Sequence, residues 1–175
     1  LACWLAGEKR GARGGVGRVG GRRARYGAWL GHQGGQAEER RACDARAEAH
    51  WARTGPHPNE HSAALRRRGF IFQKAGDQPA ALGLYRQSVE LLRPHSVETH
   101  FMVSALNDLA GAKLNCGDLE GAERDYREAL GIAEAIRSPS GEAYSKGNLA
   151  NLALQRLDWA TAEAVARQAV TIAEA

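Results

Sequence analysis

Aromatic side chains make up only 6% of this 175-residue chain, and it has a single methionine. A core built from it must be thin and must rely on close approach of backbones rather than on bulky fillers. Cysteine is scarce too. Cys3, Cys43 and Cys116 are an odd number at no metal-like spacing, which argues against a disulfide framework and for reduced thiols in a cytoplasmic protein. No apolar run approaches the ~20 residues that a membrane-spanning helix needs. The opening LACWLAGEKR places its charges after a short apolar stretch, the reverse of a secretory signal. Runs of β-branched residues in period-2 alternation are missing as well, which argues against a sheet. Leu1 in place of Met, and an end at Ala175 inside a helical pattern, suggest a piece of a longer protein.

What is present is alanine, charge and glycine. Charged residues are 25% and the hydrophobic set 43% of the chain, an ordinary globular balance. Much of the apolar content is alanine, which favours helix. The net charge of +4 is unevenly placed. Lys9, Arg10, Arg13, Arg18, Arg22, Arg23 and Arg25 stand against Glu8 alone in residues 1–37, a net +6 that leaves −2 for the rest. The basic character therefore belongs to one segment and does not make the whole protein a nucleic-acid binder.

Three segments repeat. GDQPAALGLYRQSVELL begins at Gly76, GDLEGAERDYREALGI at Gly117 and LDWATAEAVARQAVTI at Leu157, spaced by 41 and then 40 residues. Each carries a small residue at Ala81, Ala122 or Ala162, and another seven positions on at Ser88, Ala129 or Ala169. Seven residues is about two helical turns, so each pair shares a face. Small side chains there let a neighbouring helix approach at the short end of the usual 8–10 Å. Between them sit Tyr85, Tyr126 and Ala166. A helix with its own small site, at Gly69, Ala110 or Ala150, precedes each segment. Asp77, Asp118 and Asp158 open the second helix of each copy, where a carboxylate accepts from free N–H groups. The expected helices are 59–75, 77–93, 97–115, 118–137, 141–156 and 159–174, with Pro94 and Ser138-Pro139-Ser140-Gly141 at the joins.

This pattern resembles the tetratricopeptide repeat, over about residues 60–175. The 40-to-41 spacing exceeds the ~34 of the short form and is similar to the longer repeats of kinesin light chains and Leu-Gly-Asn adaptor proteins. Asn148, Leu149, Ala150 and Asn151 match an N-L-G/A-N signature of the first helix, and Asn107 to Ala110 match it in part. Arg68 stands where a leucine is usual and Lys113 where an aromatic is usual; both are expected to pack loosely or face solvent. The fold expected is an all-α superhelix of antiparallel helix pairs with a flexible basic N-terminal segment. Its parts would be 1–34, Gly/Arg-rich; 35–58, a helix of a degenerate upstream repeat; and three repeats at 59–96, 97–138 and 139–175.

Other signals are weaker. Gly15-x-Gly17-x-x-Gly20 matches a dinucleotide fingerprint in letters, but no strand precedes it. Nucleic acid could engage only the arginines of residues 9–25. His57 and His61 are four apart, yet Pro56 and Pro58 make that stretch a turn, so no metal is expected. No nucleophile, base and orienting group group together, so neither an enzyme nor a cofactor is expected.

The resemblance implies a concave side lined by the first helices. The candidate binding residues there are Arg66, Arg67, Phe70 and Gln73; Asn107, Asp108, Gly111 and Asn115; and Tyr144, Asn148, Asn151 and Gln155. Amides can both donate to and accept from a peptide backbone. Arg66 and Arg67 would form a carboxylate clamp that favours an acidic peptide. The function implied is a protein-binding scaffold. The alternative is a sensor or regulatory module of a larger bacterial-type signalling protein. The last helix, 159–174, carries Trp159, Val165 and Ile172 with no polar cap after it, so self-association there is also expected.

Overall fold

A computed structural model describes residues 58–95 and 98–174, together with Ala49. The expected flexible segment 1–34 and, up to residue 57, the segment 35–58 expected to carry an upstream helix lie, Ala49 aside, outside the described residues. Six helices follow one another: α1 (Pro58–Lys74), α2 (Gln78–Leu92), α3 (His100–Asn115), α4 (Leu119–Ala135), α5 (Pro139–Gln155) and α6 (Trp159–Glu174). No strand occurs among the described residues.

The capping residues act as the sequence suggests. Asp77 accepts from the Ala80 N–H at 3.1 Å, Asp118 from Gly121 at 2.8 Å and Asp158 from Thr161 at 3.1 Å. The turns before them share one hydrogen-bond pattern. Asp77, Asp118 and Asp158 donate their N–H to the carbonyls of Phe72, Lys113 and Ala153, closing the preceding helix with one residue in the left-handed region. Gly76 and Gly117 fill that position at φ 84° and 83°. In the third pair Leu157 takes it at φ 61°, and Arg137 does the same at the end of α4. Two starts differ from expectation. Ser138 caps α5 and Pro139 occupies its first turn, because the fixed φ of proline suits that position. Thr99 caps α3, which begins at His100 rather than 97.

The helices pack as α1/α2, α3/α4 and α5/α6, and the second helix of each pair also packs on the first helix of the next. The predicted small sites lie at these crossings: Ala81, Ala122 and Ala162 are 0–4% exposed. Tyr85, Val89, Leu92, Met102, Leu106 and Leu109 form the core between the first two pairs. Tyr126, Ala110, Leu114, Leu119, Leu149 and Leu152 form the next cluster. Ser62 and Ser88 share a buried hydroxyl contact of 2.7 Å. Lys113, expected to be loose, is instead held by Asp125 of α4 at 2.6 Å; a long cationic side chain fills the aromatic's place and finds a carboxylate on the facing helix. Arg68 is half-buried rather than solvent-facing.

First helices of neighbouring pairs touch, α1 on α3 and α3 on α5, more closely than second helices do. Closer spacing on one side of a stack curves it toward that side, so the first helices line the inner face.

Candidate peptide-binding groove

The groove floor is the outward stripe of each first helix. Positions i, i+4, i+7 and i+11 share a face. On α3 these are Ser104, Asp108, Gly111 and Asn115; on α5 they are Tyr144, Asn148, Asn151 and Gln155. The stripe on α1 is Ala63, Arg67, Phe70 and Lys74. Phe70 and Tyr144 are exposed to 53% and 55%, large aromatics that the core does not use. The Lys74 ammonium sits 5.3 Å from the centroid of the Phe70 ring. Arg67, Asn115, Asn151 and Gln155 are exposed, and Asn148 is half-buried.

Three expected residues are placed otherwise. Asn107, expected on the open face, is buried at 2% exposure. Its amide donates to the Val103 carbonyl at 2.8 Å and to the Ser145 hydroxyl at 2.9 Å, and its carbonyl oxygen accepts from Asn148 at 2.8 Å. It is a polar rung between α3 and α5. Arg66 does not stand free as half of a clamp: its Nε pairs with Asp108 of the next repeat at 2.5 Å. Gln73 accepts from the Tyr85 hydroxyl at 3.1 Å. One position on a helix is about 100° of rotation, which separates Arg66 and Gln73 from the open stripe of Arg67 and Lys74. Sequence reasoning missed Lys74 and Ser104, although the 41- and 40-residue offsets align them with Asn115 and Tyr144.

The second helices also reach this face. Tyr85 passes over Gly69, where a Cβ would meet its ring at 2.8–3.0 Å. Tyr126 projects from α4 to Gly111, where a Cβ would stand 3.5 Å from its hydroxyl. Burial, then the Asp108 charge, pushes the Tyr85 phenol well up. Burial, then Tyr144 and Asp108, pushes Tyr126 up to about 12. Burial outweighs Arg66 and raises the Asp108 carboxyl above its ordinary range.

Among the described residues no three His, Cys, Asp or Glu side chains gather as a metal site requires. None of the described helices is long and apolar enough to cross a membrane.

Residues 101–175 match the family model described as Tetratricopeptide repeat. This stretch is made of tetratricopeptide repeats. Solved structures extend the likeness of fold to the rest of the array. BtubC (BKLC) from P. vanneervenii superposes with a TM-score of 0.63 at 17% identity, over 89% of this chain and 70% of that one. A Podosopora anserina chain of nearly identical TPR-like repeats, described as a kinesin light chain, gives 0.69 at 20% identity, over 89% and 74%. Aspartyl phosphate phosphatase F from Bacillus subtilis gives 0.75 at 13% identity; the match covers 90% of this chain but only 41% of that protein. None of the curated proteins matches the chain by sequence.

Proposed function

We propose that the repeat array is a non-catalytic, cytoplasmic scaffold that holds a peptide or protein segment along its concave groove. The observation that carries this reading is the exposure of Phe70 and Tyr144 on the floor, among amides and an arginine that the fold leaves free. Exposed aromatics among adaptable polar groups are what binding surfaces are enriched in. Arg67 and Lys74 give the α1 end a positive charge that favours an acidic segment there; Arg66 adds little, being matched by Asp108. A randomised 12-residue peptide library, selected on the chain, tests this. Peptides that lose binding on Phe70→Ala and Tyr144→Ala support the groove, and peptides indifferent to both refute it. The same groove would serve a regulatory module of a larger signalling protein.

Self-association through Trp159–Glu174 is part of the proposal. Leu154, Trp159 and Val170 are exposed at 43%, 66% and 53%. By the 40-residue offset they repeat Leu114, Leu119 and Leu130, of which Leu114 and Leu119 pack in the cluster with Leu152 of the following helix. A second copy can cover the same positions here. Sedimentation of a concentration-dependent dimer that Trp159→Glu abolishes is the expected result; a monomer at high concentration refutes it.

A further inference from the structure

The two tyrosines that pass between the first helices differ in one respect. Tyr85 satisfies its hydroxyl on Gln73. The residue at the corresponding place beside Tyr126 is Leu114, 41 positions after Gln73, and leucine cannot accept a hydrogen bond. The Tyr126 hydroxyl makes no hydrogen bond among the described residues. Its ring is sealed, with the residue only 2% exposed, yet the oxygen keeps contact with solvent. It emerges on the groove floor beside Gly111, the one position of the Phe70, Gly111, Asn151 row that has no side chain.

We infer that Tyr126 and Gly111 form the main-chain contact point of the groove, where the Tyr126 hydroxyl donates to a backbone carbonyl of a bound extended peptide that lies against Gly111. This rests on the reading that the groove takes a peptide. The hydroxyl has no protein partner among the described residues and meets only solvent, so a ligand carbonyl can take the place of that water without breaking an internal hydrogen bond. The acceptor that a peptide main chain offers here is a neutral carbonyl, which takes a hydrogen bond from a phenol. The phenol is a donor at neutral pH even at the ordinary tyrosine pKa of about 10, and burial only raises it further. The absent side chain at Gly111 lets a peptide backbone come within hydrogen-bond reach, while Phe70 and Tyr144 offer apolar contact to its side chains.

Two substitutions test this in the full chain, with the selected 12-residue peptides as probe. Tyr126→Phe keeps the ring and should melt as the wild type does, because the hydroxyl bonds nothing internally. It should weaken groove-dependent peptides about three- to tenfold, the worth of one neutral hydrogen bond. Gly111→Ala places a methyl 3.5 Å from the hydroxyl, an ordinary contact. It should raise helix stability and still weaken the same peptides, a combination that a merely structural role would not produce. Peptides that need Phe70 and Tyr144 but bind both variants at wild-type strength overturn this contact point and leave the groove reading standing. A selection that yields no groove-dependent peptide overturns both. A large drop in the melting point of Tyr126→Phe also overturns it, because the hydroxyl would then have an internal role.

Discussion

Gly69→Ala is the sharpest test of how the first repeat is packed. Replacing glycine by alanine inside a helix ordinarily stabilises by roughly 1 kcal/mol. At Gly69 the added Cβ would lie 2.8 Å from Cε1, 2.9 Å from Cζ and 3.0 Å from Cδ1 of Tyr85. That ring cannot swing away cheaply: the residue is 2% exposed and its hydroxyl is tied to Gln73. Overpacking of this kind costs about 1–3 kcal/mol. The net expectation is a change between about zero and 2 kcal/mol destabilising, against a gain at a site without the clash. Gly83 and Gly131 supply that reference, since a Cβ at either meets nothing within 4 Å. Urea titration of Gly69→Ala, Gly83→Ala and Gly131→Ala separates the steric term from helix propensity. Tyr85→Leu, alone and combined with Gly69→Ala, closes a double-mutant cycle, whose coupling should be about 1–3 kcal/mol in favour of the pair. The third repeat already pairs small residues at these places, Ala150 and Ala166. If Gly69→Ala stabilises as much as Gly83→Ala, or the cycle shows no coupling, the close approach of α1 and α2 is not what the packing depends on.

Leu157→Gly should match or exceed wild-type stability while Leu157→Ala should not, because Leu157 holds φ 61° on an exposed turn and a side chain there costs about 1–2 kcal/mol; thermal melts of the two variants decide it. Asn107→Ala should destabilise by about 2–3 kcal/mol in denaturant titration, since it strands Ser145 and Asn148 and opens a gap between α3 and α5; a neutral effect would mean the rung is not formed. For acidic peptides, Arg67→Ala should lower affinity mainly at low salt, with a Debye length of ~8 Å at physiological strength. Arg66→Ala should instead lower stability, by exposing the half-buried Asp108 without its partner. Equal, salt-dependent binding losses for both arginines would restore the two-residue clamp.

Helices, turns and crossings were legible because their determinants are local or periodic. A cap needs its aspartate three residues from the N–H it accepts, a turn needs one residue able to take positive φ, and a helix crossing needs small residues seven apart. All of these are read within one copy and checked against the next. Even so, Leu157 shows that the turn keeps its geometry without glycine, with the same closing backbone hydrogen bonds as the glycine-bearing copies. The groove was legible in outline only. Phe70, Tyr144 and Asn151 could be assigned to the open face, but Asn107 stands one position before Asp108, the residue that Asn148 repeats, and that turn of about 100° makes Asn107 a buried rung while Asn148 stays half-open. Arg66 and Arg67 are neighbours in sequence and about 100° apart on the helix, so only the position of Asp108, 42 residues on, determined which of them remained free. The contact of Tyr126 with the floor beside Gly111 has no local signal, because it depends on how closely α4 packs on α3 within the pair. Sequence determined the repeating unit, since that unit is made of short-range preferences. Which polar groups the units bury and which they present was decided by the tertiary structure, since a rotation of a single residue between packed helices moves a side chain from solvent into an interface.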